Sequence, residues 1–237
     1  MRFWKKYYLT YVFLLAVFVG GAMLIEKSAH RVLPANAESA APCRSVVIDP
    51  GHGGEDGGAV SALGTRESKL NLQISLRIRD LFRLLGIPAV MTHSTDISIY
   101  DSTAQTVSEK KVSDLKNRVS ITNSTPNALL LSIHQNMFSD GKYSGAQVFF
   151  AQTEGSEALA ERLQDLLRDN ADPSNHREAK PSSAVWLMEH IDCTGVLVEC
   201  GFLSNAAEEQ RLKTDDYQKK LSCIIVCGTA EFLSEEK

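Results

Sequence analysis

The sequence predicts a single α/β domain built on a mostly parallel sheet, preceded by an N-terminal transmembrane helix. Three observations carry this. From about residue 44 onward, short apolar runs alternate with stretches of helical periodicity. Residues 128–133 form a continuous apolar run of the kind that fills a buried parallel strand. Residues 7–25 form a separate uncharged run of 19 residues, long enough to cross a bilayer and long for the apolar part of a signal peptide. Arg2, Lys5 and Lys6 precede that run, which favours an N-inside orientation. Ala35-Asn36-Ala37 has the form of a cleavage site, but Glu26, Lys27, His30 and Arg31 separate it from the apolar run. An uncleaved anchor is therefore favoured over a cleaved signal. The expected organisation is a cytoplasmic tip and anchor (1–30), a linker (31–43) and one functional domain (44–235).

The elements follow in order. Residues 46–49 read as a first, buried strand that stops at Pro50. Leu70, Ile74, Ile78, Leu81 and Leu85 repeat at helical spacing, so 68–85 is an amphipathic helix, with Gly86 placed to end it. Residues 89–92 are the next strand. Residues 94–111 are polar and aperiodic and read as a long loop; 113–123 is helical. After the strand at 128–133 come a strand at 147–151, a helix at 156–168 with Leu159, Leu163, Leu166 and Leu167 inward, and a polar loop at 170–183. Short strands are expected at 185–188 and 196–198, and a terminal helix at 216–233.

Charge narrows the function. The chain has 25 Lys/Arg and 29 Asp/Glu, a formal net charge of −4. Residues 1–31 hold five of the bases and one acid, which leaves 20 bases against 28 acids, net −8, for the remainder. An acidic domain is a poor nucleic-acid partner. The five cysteines contain no C-x-x-C. Cys223 and Cys227 share a helix face and read as core packing. Cys193 and Cys200 bracket a strand and are compatible with free thiols or a bridge.

Chemistry concentrates at strand ends. After the first strand, Pro50-Gly51-His52-Gly53-Gly54 is a glycine-rich turn that presents a histidine. Its glycine spacing fails the dinucleotide fingerprint, because the third glycine position is Asp56, and no P-loop, G-x-S-x-G or H-E-x-x-H follows. His134 follows the strand at 128–133. Strand C-termini in a parallel sheet share one edge, so His52 and His134 can converge there, and Glu67 returns to that edge at the start of its helix. Two histidines and one glutamate form a known catalytic zinc set. Asp49, Glu55 and Asp56 compete with Glu67 for the carboxylate position; Asp49 is better read as a group that orients a histidine, and Glu55 and Asp56 as turn residues. His30, His93, His176 and His190 read as structural, and Arg118 as an ion-pair former on its own helix. Glu199 ends an otherwise apolar strand, where a carboxylate is costly unless used or paired. Beside an activated water it serves as general base and then general acid, and Gly201 would permit a tight turn bringing it close.

The segments 47–54, Glu67, 132–136 and 197–205 together resemble the zinc-dependent N-acetylmuramoyl-L-alanine amidases, the amidase 3 family, over about residues 45–232. The resemblance implies a twisted mixed sheet flanked by helices and a bound Zn2+. It implies His52, Glu67 and His134 as ligands and Glu199 as catalytic acid/base; Asp49 and Asn136 are expected in supporting or substrate-side positions. It implies peptidoglycan as substrate, cut between the lactyl group of N-acetylmuramic acid and the L-alanine of the stem peptide. Residues 142–149 and Cys200 favour the spore-cortex, germination-associated branch, whose product goes on to muramic δ-lactam. The expected location is then outside the membrane, anchored or secreted, on the forespore or cortex side, with contact to the membrane through the N-terminal helix and room for an activating protein partner. Thr194-Gly195 and Met137 depart from the family pattern beside the substrate groove. Two other readings stand beside this one. A zinc carboxypeptidase or deacetylase would need a substrate-clamping arginine, for which the sequence offers no clear candidate. A wall-binding scaffold with a structural metal would leave Glu199 dispensable.

Overall fold

A computed structural model describes residues 44–183 and 185–235. The anchor and the linker expected at the N-terminus lie outside the described residues. Among the described residues, no helix is long and apolar enough to cross a membrane.

The strands are β1 (Ser45–Pro50), β2 (Ala89–Met91), β3 (Ala128–Asn136), β4 (Gln147–Phe150), β5 (Lys180–Pro181) and β6 (Thr194–Phe202). The helices are α1 (Glu67–Leu84), α2 (Val107–Ser124), α3 (Ser156–Ala171), α4 (Trp186–His190), α5 (Ala206–Leu212) and α6 (Asp215–Glu235). The strands form one sheet in the order β2-β1-β3-β6-β4-β5. Every neighbouring pair is parallel except β4 with β6, so the sheet is mixed.

Alternation along the central strands divides the core. Val46, Ile48, Leu129, Leu131 and Ile133 pack with Ile74 of α1, Leu163 of α3 and Ile225 of α6. Val47, Leu130 and Leu197 face the other way, against Leu187, Met188 and Ile191. Both faces of the sheet are thus covered, which is why its strands read as continuous apolar runs.

Four expectations change. Residues 185–188 are not a strand: α4 begins at Trp186, with Leu187 and Met188 in the second core. A four-residue apolar run is compatible with either element. The polar loop after β2 is shorter than expected, because Thr106 and Glu109 form a capping box that starts α2 at Val107. Cys223 and Cys227 are exposed free thiols, not core, because α6 turns its Leu221, Ile225 and Phe232 stripe inward. Gly201 makes no turn. β6 runs on through Phe202, and a Cβ at Gly201 would stand 3.3 Å from Leu212 of α5. Cys193 and Cys200 are free.

Candidate active site and metal centre

β1, β3 and β6 lie side by side, and their C-terminal ends share one edge. The register places His134 of β3 directly beside Glu199 of β6, with an irregularity between His134 and Asn136. β1 ends at Pro50, and the chain turns sharply to expose His52, which has a φ of 65°. Glu67 opens α1 and is carried back to the same edge. His52, Glu67 and His134 each offer one ligand atom, all within 4.8 Å of one another.

The three side chains are oriented from behind. Glu67 is buried. Its Oε1 lies 2.9 Å from His134 Nδ1 and accepts from the Gln135 amide (3.1 Å) and Asn71 Nδ2 (3.2 Å). Its Oε2 accepts from the Ala59 amide at 2.8 Å and lies 3.4 Å from His52 Nε2. Burial alone would raise Glu67, but His134, His52 and the Ala59 amide hold it at about 2. Burial likewise lowers His134, and the bond from its ring to Glu67 more than reverses this. The two rings meet edge-on with centroids 5.1 Å apart. Space for them comes from two glycines. A Cβ at Gly51 would lie 2.2 Å from the His134 ring, and one at Gly58 2.5 Å from Glu67 Oε2.

His52 is fixed through its other nitrogen. Nδ1 bonds Asp56 Oδ2 at 3.0 Å across a tight turn closed by paired Gly53 and Asp56 backbone bonds. Sequence reasoning placed Asp56 in the turn but missed this contact. Neither residue type nor position separated it from Glu55, which pairs with Lys110. Asp49, expected to orient a histidine, instead accepts from Thr92, Ser132 and Arg118, each at 2.7 or 2.8 Å. Arg118 bonds Asp114 on its own helix, as expected, but also donates to the Pro50 and His52 carbonyls at 2.7 and 2.8 Å. Buried His93 holds the same two carbonyls from Nε2. The exposed turn is thus clamped to the sheet by a buried charged network. Asn136 is at the end of β3, partly exposed, with its carbonyl bonded by the Leu203 amide.

Glu199 differs from every other acid at this edge. Its Oε2 is shielded from solvent and has no hydrogen-bond partner. Burial pushes its pKa up to about 7, with Glu67 adding to the rise and His134 opposing it. Buried polar atoms are nearly always satisfied, so an orphan carboxylate oxygen points to a group held for a reacting molecule. The donor set of two imidazoles and one carboxylate fits zinc, and the orphan oxygen beside it fits proton transfer.

This arrangement, on an open α/β sheet edge, has the layout of a metal-assisted hydrolase. The family profile described as N-acetylmuramoyl-L-alanine amidase (Amidase_3) matches residues 46–230. The chain belongs to that family. It is 34% identical over 192 residues to the germination-specific N-acetylmuramoyl-L-alanine amidase of Bacillus subtilis, covering 81% of this chain and 80% of the relative. Among solved structures, the CwlD amidase from Clostridioides difficile, in complex with the GerS lipoprotein, matches with a TM-score of 0.78 at 35% identity, covering 81% of this chain and 99% of that one. An N-acetylmuramoyl-L-alanine amidase from Clostridium difficile 630 matches with a TM-score of 0.71 at 28% identity, covering 82% and 99%.

Proposed function

We propose that this chain hydrolyses the amide between N-acetylmuramic acid and L-alanine in peptidoglycan, with Glu199 as its proton-transfer residue. The observation that carries the mechanism is the unpartnered Glu199 Oε2 beside the His52–Glu67–His134 cluster. His52, Glu67 and His134 would hold a zinc ion. A zinc ion there would supply Lewis acidity, polarising the amide carbonyl and lowering the pKa of water to about 7. Glu199 accepts a proton from the water that attacks the lactyl carbonyl carbon. It then delivers that proton to the amide nitrogen as the carbon–nitrogen bond breaks, releasing a lactyl carboxylate and the free amino group of the stem peptide. A carboxyl near 7 is matched to both halves of that cycle. Asp49 acts through Arg118 on the turn, and Asn136 borders the substrate.

A carboxypeptidase-like reading needs a substrate-clamping arginine. Arg118, the arginine that reaches the His52 turn, is not free for that role: its side chain is 3% exposed and engaged by Asp49 and Asp114.

We further propose a role in spore cortex, where removal of stem peptides frees muramic acid for δ-lactam formation. Similarity to the germination-specific amidase supports this. The uncharged run at 7–25 supports export with an N-terminal anchor, which leaves the domain of 44–235 outside the membrane. The lipoprotein partner of the CwlD amidase supports an activating protein partner for this chain too.

The test is product identity. The full-length chain, wild type and Glu199→Gln, is incubated with muropeptides and zinc, and products are weighed by mass spectrometry. Free stem peptide is expected from wild type, with Glu199→Gln slower by about 10²-fold or more while still binding zinc. Release of a terminal amino acid or of acetate instead would sink the amidase reading. Unimpaired Glu199→Gln would remove that residue from the mechanism.

A further inference from the structure

The cavity containing His52 and His134 extends beyond the cluster. Its volume is about 340 Å3, and it runs between Lys111 and Asp114 of α2 on one side and Val185 and Trp186 on the other. A second cavity of about 220 Å3 adjoins it, lined further out by Tyr100 and Val107. Asp56, Lys111 and Asp114 line both, so these three residues are the wall the two chambers share.

The charges along this wall are not equivalent. Asp56 is engaged by His52 Nδ1 and the Gly58 amide. Asp114 is engaged by the Ile99 amide and Arg118 Nε. Neighbouring Lys110 bonds both oxygens of Glu55, at 3.0 and 2.9 Å. Lys111 is different. Its side chain is 61% exposed, and its ion-pair contact, Asp56 Oδ2, lies at 3.9 Å, beyond hydrogen-bond reach. That oxygen is also the one that His52 holds.

The consequence for a substrate is electrostatic. Glu67, Asp56 and Asp114 are each held by a partner, so for an anionic ligand the uncommitted charge on this wall is the Lys111 ammonium. An ammonium with unused donors, on the wall between the two chambers, is where such a ligand gains instead of being repelled. Stem peptides carry free carboxylates. We propose that Lys111 reads a free carboxylate of the stem peptide, with the peptide running from the scissile amide along α2 into the second chamber. This rests on the amidase reading above and assigns the direction in which its substrate lies.

The test uses the full-length chain with zinc and two muropeptides that differ only in whether the stem carboxylate is free or amidated. Wild type is expected to prefer the free carboxylate about fivefold in KM, the worth of one partly exposed ion pair. Lys111→Met should erase that preference, Lys111→Arg should retain it, and the change should fall on KM and not on kcat. A wild-type enzyme that cleaves both substrates without preference overturns the proposal alone. So does a Lys111→Met change that is equal for both substrates. A wild type that cleaves neither, both alone and with a lipoprotein partner of the GerS kind supplied, overturns the amidase reading, and this proposal with it.

Discussion

Asp56 shows how much one hydrogen bond decides at the residue scale. By holding His52 Nδ1 at 3.0 Å it leaves Nε2 facing Glu67. The His52 ring in turn keeps the Asp56 carboxyl well below the usual carboxylate range, so it stays an acceptor at any working pH. Asp56→Asn should therefore weaken zinc binding by about 10- to 100-fold. Competition against a zinc chelator measures this, and unchanged affinity would remove Asp56 from the site. Glu67, His134, His52 and Glu199 were legible in the sequence because a polar residue at the end of an apolar strand, or at the helix start that returns to it, violates the local pattern. Asp56 was not legible as an orienting group. An acid in a glycine turn fits the turn, and only the folded loop distinguishes it from Glu55.

At the scale of elements, α2 borders the His52 cavity along one face. Its first turn is capped by Thr106 and Glu109, its second turn faces the cavity with Lys111, and Arg118 reaches under the His52 turn. Thr106→Ala should cost about 1 kcal/mol through the lost cap. For a domain of this size that lowers the melting temperature by about 2–4 °C. Calorimetry checks it; a shift below 1 °C would mean that tertiary contacts, not the cap, hold the helix start. The start of α2 carries no helical signal in the sequence because its first turns are polar, and a capping box signals a boundary without supplying apolar periodicity. The same limit explains α4. Val185 to Met188 is too short for its period to be read, and burial of Leu187 and Met188 against the far side of the sheet decides for helix.

For the whole molecule, the Asp49–Arg118 pair ties β1 to α2, with Thr92 after β2 and Ser132 on β3 joining through Asp49. Burial would raise Asp49, but Arg118 and the two hydroxyls hold it at about 2, below its ordinary 3.8. A depressed carboxyl contributes stability that is complete above pH 4 and disappears as pH falls through 4 to 2. Here it amounts to about 2 kcal/mol. Urea unfolding at pH 5 and pH 2.5 should show this loss in wild type. It should be smaller by about 1.5 kcal/mol in the triple variant Asp49→Asn/Asp114→Asn/Arg118→Met, which removes all three charges of the network instead of stranding one. Equal acid sensitivity in the two proteins would refute the assignment.

The sequence alone pointed to the α/β class, to the strand ends at one edge and to His52, His134 and Glu199 there, with Glu67 the favoured carboxylate among several, because these depend on periodicity and on local violations of it. Tertiary structure decided what stands behind them. The bond from Asp56 to His52, the reach of Arg118 from α2 to the His52 carbonyl and the shared wall at Lys111 join positions by folding. Which side chain of several like ones ends up facing a partner is set by packing across the sheet edge, and no spacing along the chain encodes that.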